Sequence, residues 1–220
     1  SLVSHCFRKD VKELRKKGRI KIAKGALLMG VPDFTGTLKH KQVFLNLSAL
    51  EGYDGEGVIE GKVICAKNPC LHPGDIRILE AVDVSSTLSG KDIIYFPTSS
   101  GMARPHPDEM SGSDLDGDLF WVSWDSSLLP PSNPPAPAAY HVEDQLGNCT
   151  PMDYDAKTAE SFPNTKAEYF LSAICNSSLG QVSNAHKYFA DKESDGAYNT
   201  ICLELAQLAS DAVDSVKTGV

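Results

Sequence analysis

The stretch Ser113-Asp114-Leu115-Asp116-Gly117-Asp118-Leu119-Phe120-Trp121-Val122 decides how this chain is read. It sets three carboxylates at alternate positions around a glycine, then enters an apolar run with the composition of a buried strand. In extended backbone, side chains alternate between faces, so Asp114, Asp116 and Asp118 are expected to point the same way. Three like charges on one face repel unless a divalent cation lies among them, and an all-oxygen donor set suits Mg²⁺ or Mn²⁺. Gly117 permits a sharp bend or the close approach of a ligand. Such a cluster best serves phosphoryl or nucleotidyl transfer.

Other readings of the same residues stay open at this point. Asp-x-Asp-x-Asp also begins a calcium-binding EF-hand loop, and Asp125 falls where its last ligand belongs. That loop needs its glycine two positions beyond Gly117, where Leu119 stands, and residues 119–124 are too apolar for it. An Asp-x-Asp-Gly phosphatase-like metal enzyme of the haloacid-dehalogenase type would place the first Asp at the end of a buried strand. Here Ser111-Gly112-Ser113 precedes Asp114. A metal-free acidic surface turn is the last alternative, although turns rarely stack three acids ahead of a buried strand.

A chain of 220 residues can bury a proper core as one domain, or one domain with a small appendage. With 41% hydrophobic and 23% charged residues it has an ordinary globular composition. No apolar run approaches the length of a membrane span, and no secretory signal pattern opens the chain. Beginning at Ser1 and ending at Thr218-Gly219-Val220, it is expected to be a piece of a longer protein.

The net charge of −8 argues at first against a nucleic-acid partner, but the charge is uneven. Arg8, Lys9, Lys12, Arg15, Lys16, Lys17, Arg19, Lys21 and Lys24 face only Asp10 and Glu13 in the same stretch. Such a run is either a solvated face or a contact for a phosphate backbone. Cys6, Cys65, Cys70, Cys149, Cys175 and Cys202 form no Cys-x-x-Cys pair, so reduced thiols are expected rather than a zinc module or a disulfide framework.

Strands are expected at residues 26–29, 43–47, 61–66, 75–81, 93–96 and 119–124, where Val, Ile, Leu and Phe are punctuated by Gly, Pro and Asp. No long helix fits between them, which argues for a β-barrel or sandwich. Residues 11–17 read as the end of a basic helix closed by Gly18. The run Pro130-Pro131-Ser132-Asn133-Pro134-Pro135-Ala136-Pro137 reads as a semi-rigid linker. After it, apolar residues recur at helical spacing in 166–177, 179–189 and 198–216. The expected organisation is a basic lead-in helix (1–19), a β domain (20–126), a Pro-rich linker (127–150) and a small α-helical segment (151–220). Asn184, His186 and Lys187 offer a ligand contact or, as the plainer reading, a helix cap or a solvated face.

Two connectors carry more chemistry than a core needs. Ala66-Lys67-Asn68-Pro69-Cys70-Leu71-His72-Pro73-Gly74-Asp75 joins two strands with a cation, an amide and an imidazole, and Arg104-Pro105-His106-Pro107 delivers the chain into the Asp cluster. Their prolines fix loop shape in advance, which suits preorganised catalysis. Taken singly, each is equally a structural turn.

Together these motifs resemble the eukaryotic cell-encoded RNA-dependent RNA polymerases of RNA silencing, especially the plant-like branch. The resemblance is carried by Leu27-Leu28-Met29-Gly30, Thr35-Gly36-Thr37-Leu38, the Lys67 connector, Arg104-Pro105-His106-Pro107 and Ser111-Gly112-Ser113-Asp114-Leu115-Asp116-Gly117-Asp118. It continues through Met152-Asp153-Tyr154, Ser178-Leu179-Gly180, Asn184-Ala185-His186, Phe189-Ala190-Asp191-Lys192 and Lys217-Thr218-Gly219-Val220.

The resemblance implies a mixed β and α fold, with a double-psi β-barrel catalytic domain followed by a small α-helical segment. That barrel is similar to the catalytic barrel in the largest subunit of DNA-dependent RNA polymerases. Such a subunit would read Asn-Ala-Asp-Phe-Asp-Gly-Asp at the metal loop, unlike this chain. Asp114, Asp116 and Asp118 are then expected to hold Mg²⁺, with Mn²⁺ as substitute. Lys67 stands where the large-subunit relatives carry an arginine reaching the nucleotide sugar, so Lys67 and Asn68 are expected to contact ribose or phosphate. The implied activity is Mg-dependent RNA synthesis on a single-stranded RNA template from nucleoside triphosphates, giving double-stranded RNA for silencing in the nucleus or cytoplasm. The implied partner is the rest of the parent polymerase, including an upstream barrel, without which the isolated chain is expected to bind metal weakly and make no RNA. A non-catalytic scaffold paralogue is the alternative, although the intact Asp trio argues against it.

Overall fold

Runs of β-branched and aromatic residues bounded by Gly, Pro and Asp form strands at all six expected places. They are β1 (Gly25–Asp33), β2 (Gln42–Leu47), β4 (Gly61–Lys67), β5 (Arg77–Ala81), β6 (Ile93–Pro97) and β7 (Leu119–Ser123). A two-residue strand, β3 (Gly57–Val58), is added at the edge of β2 and was too short to show in the pattern. The structure, a computed structural model, describes residues 2–17, 20, 22–49, 57–98, 104–139 and 179–218.

The strands follow the order β3-β2-β5-β4-β7-β1-β6, and β2 also pairs with β6. That last pairing closes β2, β5, β4, β7, β1 and β6 into a six-stranded barrel. β1 with β6 and β2 with β5 run parallel, and the other barrel pairs run antiparallel. This is the expected double-psi β-barrel, and closure leaves β3 as its only appended edge among the described residues.

Alternation fails in β2 for a physical reason. Val43 and Leu45 point into the barrel, while Phe44 is equally buried on the other face beside Leu38 and Leu88. Phe120 and Val122 of β7 are fully buried, and the Phe120 ring meets Phe96 edge-on with centroids 4.9 Å apart. Burying one such aromatic contributes about 1.5–3 kcal/mol, so β7 is fastened by its inward face.

The basic lead-in forms α1 (Leu2–Lys17), longer than the residues 11–17 in which the sequence showed its end. α2 (Leu179–Lys192) and α3 (Thr200–Thr218) follow the helical periodicity and pack against each other. The helix expected at 166–177 lies outside the described residues, as do positions 140–150 of the expected linker and Met152-Asp153-Tyr154. Among the described residues, no helix is long and apolar enough to cross a membrane.

Candidate metal and nucleotide site

β7 begins at Leu119, so the Asp loop reaches the barrel rim directly from a buried strand. The loop is bent over 115–117 rather than extended, which departs from the simple alternation expected for it. The acidic groups still gather. Gly117 sits at φ 131°, a left-side conformation that only glycine adopts without strain, and folds the chain back on itself. The Asp114 amide then donates to Asp118 Oδ2 at 3.2 Å, and the Asp116 amide to Asp114 Oδ1 at 3.4 Å. One carboxylate oxygen from each of Asp114, Asp116 and Asp118 lies within 4.8 Å of the others. Among the described residues no other group of acids, histidines and cysteines comes together in this way.

Between the acids, Leu115 turns inward and packs on the barrel core, so the loop is nailed down at its centre. Gly30 makes room for this. A Cβ there would lie 2.7 Å from the Leu115 side chain and closer still to the Phe120 ring. The Gly30 amide also donates to the Asp118 carbonyl at 3.2 Å, extending the β1–β7 ladder to the last acid. The glycine that closes Leu27-Leu28-Met29-Gly30 thus holds the acidic loop against β1.

Lys67 arrives from the neighbouring strand. β4 pairs with β7 in a register that sets Lys67 beside Phe120, two residues past Asp118. Its Nζ lies 2.7 Å from Asp118 Oδ2, with both side chains about a quarter exposed. An ion pair this wet adds at most about 1 kcal/mol to stability, so its interest lies in placement. Three carboxylates and one ammonium leave a formal charge of −2 on the rim, which one divalent cation would balance. The donor set fits: it is all oxygen, it is gathered, and it is open to solvent on one side.

Asn68 follows on the exposed side of the connector and precedes a cis bond to Pro69. The rest of this connector is structural. His72 Nδ1 accepts the Gly74 amide at 2.9 Å and caps a short turn. Asp75 is 1% exposed, and the Ser111 hydroxyl bridges between its Oδ2 at 3.0 Å and the Pro69 carbonyl at 2.8 Å. Cys70 is pushed up to about 12 by burial and by the Asp75 carboxylate, which favours the protonated thiol. His106 is equally structural: buried, it accepts the Lys41 amide on Nε2 at 2.9 Å and bonds Glu109 through Nδ1 at 2.7 Å.

His186 is neither a helix cap nor a solvated residue. It is 5% exposed, and burial lowers its pKa while the neighbouring Leu71 backbone pulls the other way. α2 is thereby docked on the connector that carries Lys67. A cleft remains between the two loops and α3, with Lys67, Asp75 and Ser111 on the barrel side and Ala206, Ala209 and Ser210 on the helix. Neither the Asp75–Ser111 tie nor this helical wall is visible in local pattern, because the partners lie far apart along the chain.

Comparison with known proteins identifies what has this rim. Residues 1–220 match the RNA dependent RNA polymerase family. The chain belongs to that family. This RNA-dependent RNA polymerase segment is 46% identical over 213 residues to the Probable RNA-dependent RNA polymerase 1 of Oryza sativa subsp. japonica, covering 94% of this chain and 26% of that protein. It is 42% identical to RNA-dependent RNA polymerase 1 of Arabidopsis thaliana, covering 94% of this chain and 18% of the relative. Among solved structures, RNA dependent RNA polymerase QDE-1 from Thielavia terrestris superposes with a TM-score of 0.77 at 22% identity, over 98% of this chain and 24% of that one. The chain therefore spans about a quarter or less of the length of these relatives.

Proposed function

We propose that this chain carries the catalytic barrel of an RNA-directed RNA polymerase, which copies single-stranded RNA from nucleoside triphosphates into double-stranded RNA for gene silencing. The observation that carries the reading is the rim itself. Asp114, Asp116 and Asp118 converge there within reach of one cation, with Lys67 paired to the last of them, in a member of this polymerase family.

Asp114, Asp116 and Asp118 would hold Mg²⁺, for which Mn²⁺ can substitute. When bound, the metal lowers the pKa of the RNA 3′-hydroxyl and neutralises charge on the triphosphate. Lys67 stands beside the acids with its ammonium free to swing from Asp118 to the sugar or a phosphate of the incoming nucleotide. Asn68, exposed next to it, supplies a neutral donor and acceptor for the same ligand. The buried Asp75–Ser111 tie keeps the two loops from drifting as the nucleotide enters, and the α3 wall limits the cleft on its far side. Base selection falls to pairing with the template, and the described residues offer no side-chain general base at the rim beyond the three acids themselves. An upstream barrel and the remaining polymerase would complete the site, in the nucleus or cytoplasm.

The test is RNA synthesis by the full-length protein on a single-stranded RNA template with Mg²⁺, wild type beside Asp116→Asn. Template-length product that disappears in the variant supports the reading. A folded wild-type protein that makes no RNA with either Mg²⁺ or Mn²⁺ would turn it towards a scaffold role.

A further inference from the structure

The proline-rich run after the barrel is not a bare tether. Pro134, Pro135 and Pro137 have no N–H, so this stretch offers carbonyls that cannot enter a strand ladder as paired groups and must find side-chain donors or water. Two arginines take them. Arg77 donates through Nη2 to the Pro135 carbonyl at 2.8 Å, and Arg104 through Nη1 to the Ala138 carbonyl at 2.7 Å.

Each arginine also grips its own loop. Arg77, at the exit of the connector that starts at Lys67, donates to the Gly74 carbonyl and, through Nε, to the Ile76 carbonyl at 2.8 Å. Arg104, at the entrance of the turn leading to the acids, bonds Asp108 through its carboxylate at 2.5 Å and its carbonyl at 2.7 Å. Gly74 shows how close the fit is, since a Cβ there would run into the Ala136 carbonyl. The Ser111 hydroxyl adds a direct tie between the two loops, from a backbone held at φ 55°.

We propose that residues 134–138 form a strap that holds the Lys67 connector and the Asp loop in register, with Arg77 and Arg104 as positioning residues. The strap rests on the nucleotidyl-transfer reading for its purpose but not for its contacts. Lys67 ends β4 and Asp118 stands one residue before β7, so the strand ladder sets their 2.7 Å approach, while the strap steadies the connector that follows Lys67 and the turn that leads to the acids.

Hydrogen exchange on this chain tests the strap without calling on activity. The variants are Gly74→Ala, Arg77→Met, their combination, and a Gly-Ser replacement of residues 134–138 at equal length, which spares the barrel if Arg77→Met misfolds. Each should speed exchange of the amides in 68–76 and 112–118 by about tenfold, the effect of losing one charge-assisted hydrogen bond. Amides of β2 and β7 should not change. The double variant should exceed neither single by much, because both loosen the seat of the strap on the same connector. Unchanged loops, additive effects, or faster exchange through the whole barrel would each overturn the strap.

In the full-length polymerase, Arg77→Met should raise KM for nucleotide about tenfold, and Arg77→Lys, which keeps a cationic donor group, should recover most of that. An unchanged KM would overturn the positioning role. Failure of the wild-type enzyme to make RNA would instead count against the polymerase reading, and the exchange data would still decide the strap.

Discussion

Replacing Lys67 with glutamine should make the acidic rim bind a divalent cation more tightly, although it removes a residue assigned to the nucleotide. The ammonium lies 2.7 Å from Asp118 Oδ2 and competes for the same oxygen. A +1 and a +2 charge about 5 Å apart repel by about 1.7 kcal/mol in a water-like dielectric. Both side chains are partly exposed, so salt at physiological strength trims this to about 1 kcal/mol. The predicted gain is about fivefold in affinity, since 1.4 kcal/mol is a factor of ten. Mn²⁺ titration of the chain, followed by electron paramagnetic resonance, reads it directly. In the full-length enzyme the same variant should raise KM for nucleotide, so metal affinity and nucleotide use would move in opposite directions. Weaker or unchanged Mn²⁺ binding in Lys67→Gln would refute the claim that Lys67 shares its anion with the metal.

Two further substitutions probe how the rim is built. Gly30→Ala drives a methyl into Leu115 and Phe120; it should cost about 1–3 kcal/mol in urea unfolding and weaken Mn²⁺ binding by shifting the Asp loop. Asp33 is fully buried and accepts the Leu38 amide at 2.7 Å and the Thr35 amide at 2.9 Å. Burial works to raise its carboxyl, and these hydrogen bonds outweigh that and hold it below the usual carboxylate range. The depressed group stabilises the fold above its unfolded value near pH 4, and the contribution is lost as pH falls through the lower folded value. Asp33→Asn should therefore cost about 2 kcal/mol at pH 7 and show a shallower loss of stability between pH 4 and 2. A melting curve with unchanged acid dependence would contradict this role.

The barrel was legible because its strands carry their own punctuation. Residues 61–66 and 119–124 announce themselves by β-branched and aromatic runs between glycines and acids, and both became strands within about two residues. The acidic trio was legible from density alone, even though the loop gathers it by bending at Gly117 rather than by lying extended. Lys67 was not legible from pattern. A lone lysine in a turn is ordinarily a solvated cation, and only the resemblance singled it out. What stayed hidden is long-range. The Ser111–Asp75 tie spans 36 positions and the Arg77–Pro135 bond 58, and neither leaves a trace in local periodicity. His186 was misjudged for the same cause, since the neighbouring Leu71 backbone belongs to a different element. The prolines suggested a stiff segment by composition, but composition cannot say what such a segment lies against.

Iron-mediated cleavage would show where on the chain a divalent cation sits. Fe²⁺ bound in place of Mg²⁺, given hydrogen peroxide and ascorbate, reduces the peroxide to short-lived hydroxyl radicals that cut the backbone beside the metal. Cuts are expected within 114–118 with a second set at 67–69, suppressed by competing Mg²⁺ and lost in Asp116→Asn. Cleavage centred elsewhere, or an identical pattern in Asp116→Asn, would contradict the assignment of the acidic rim as the metal centre.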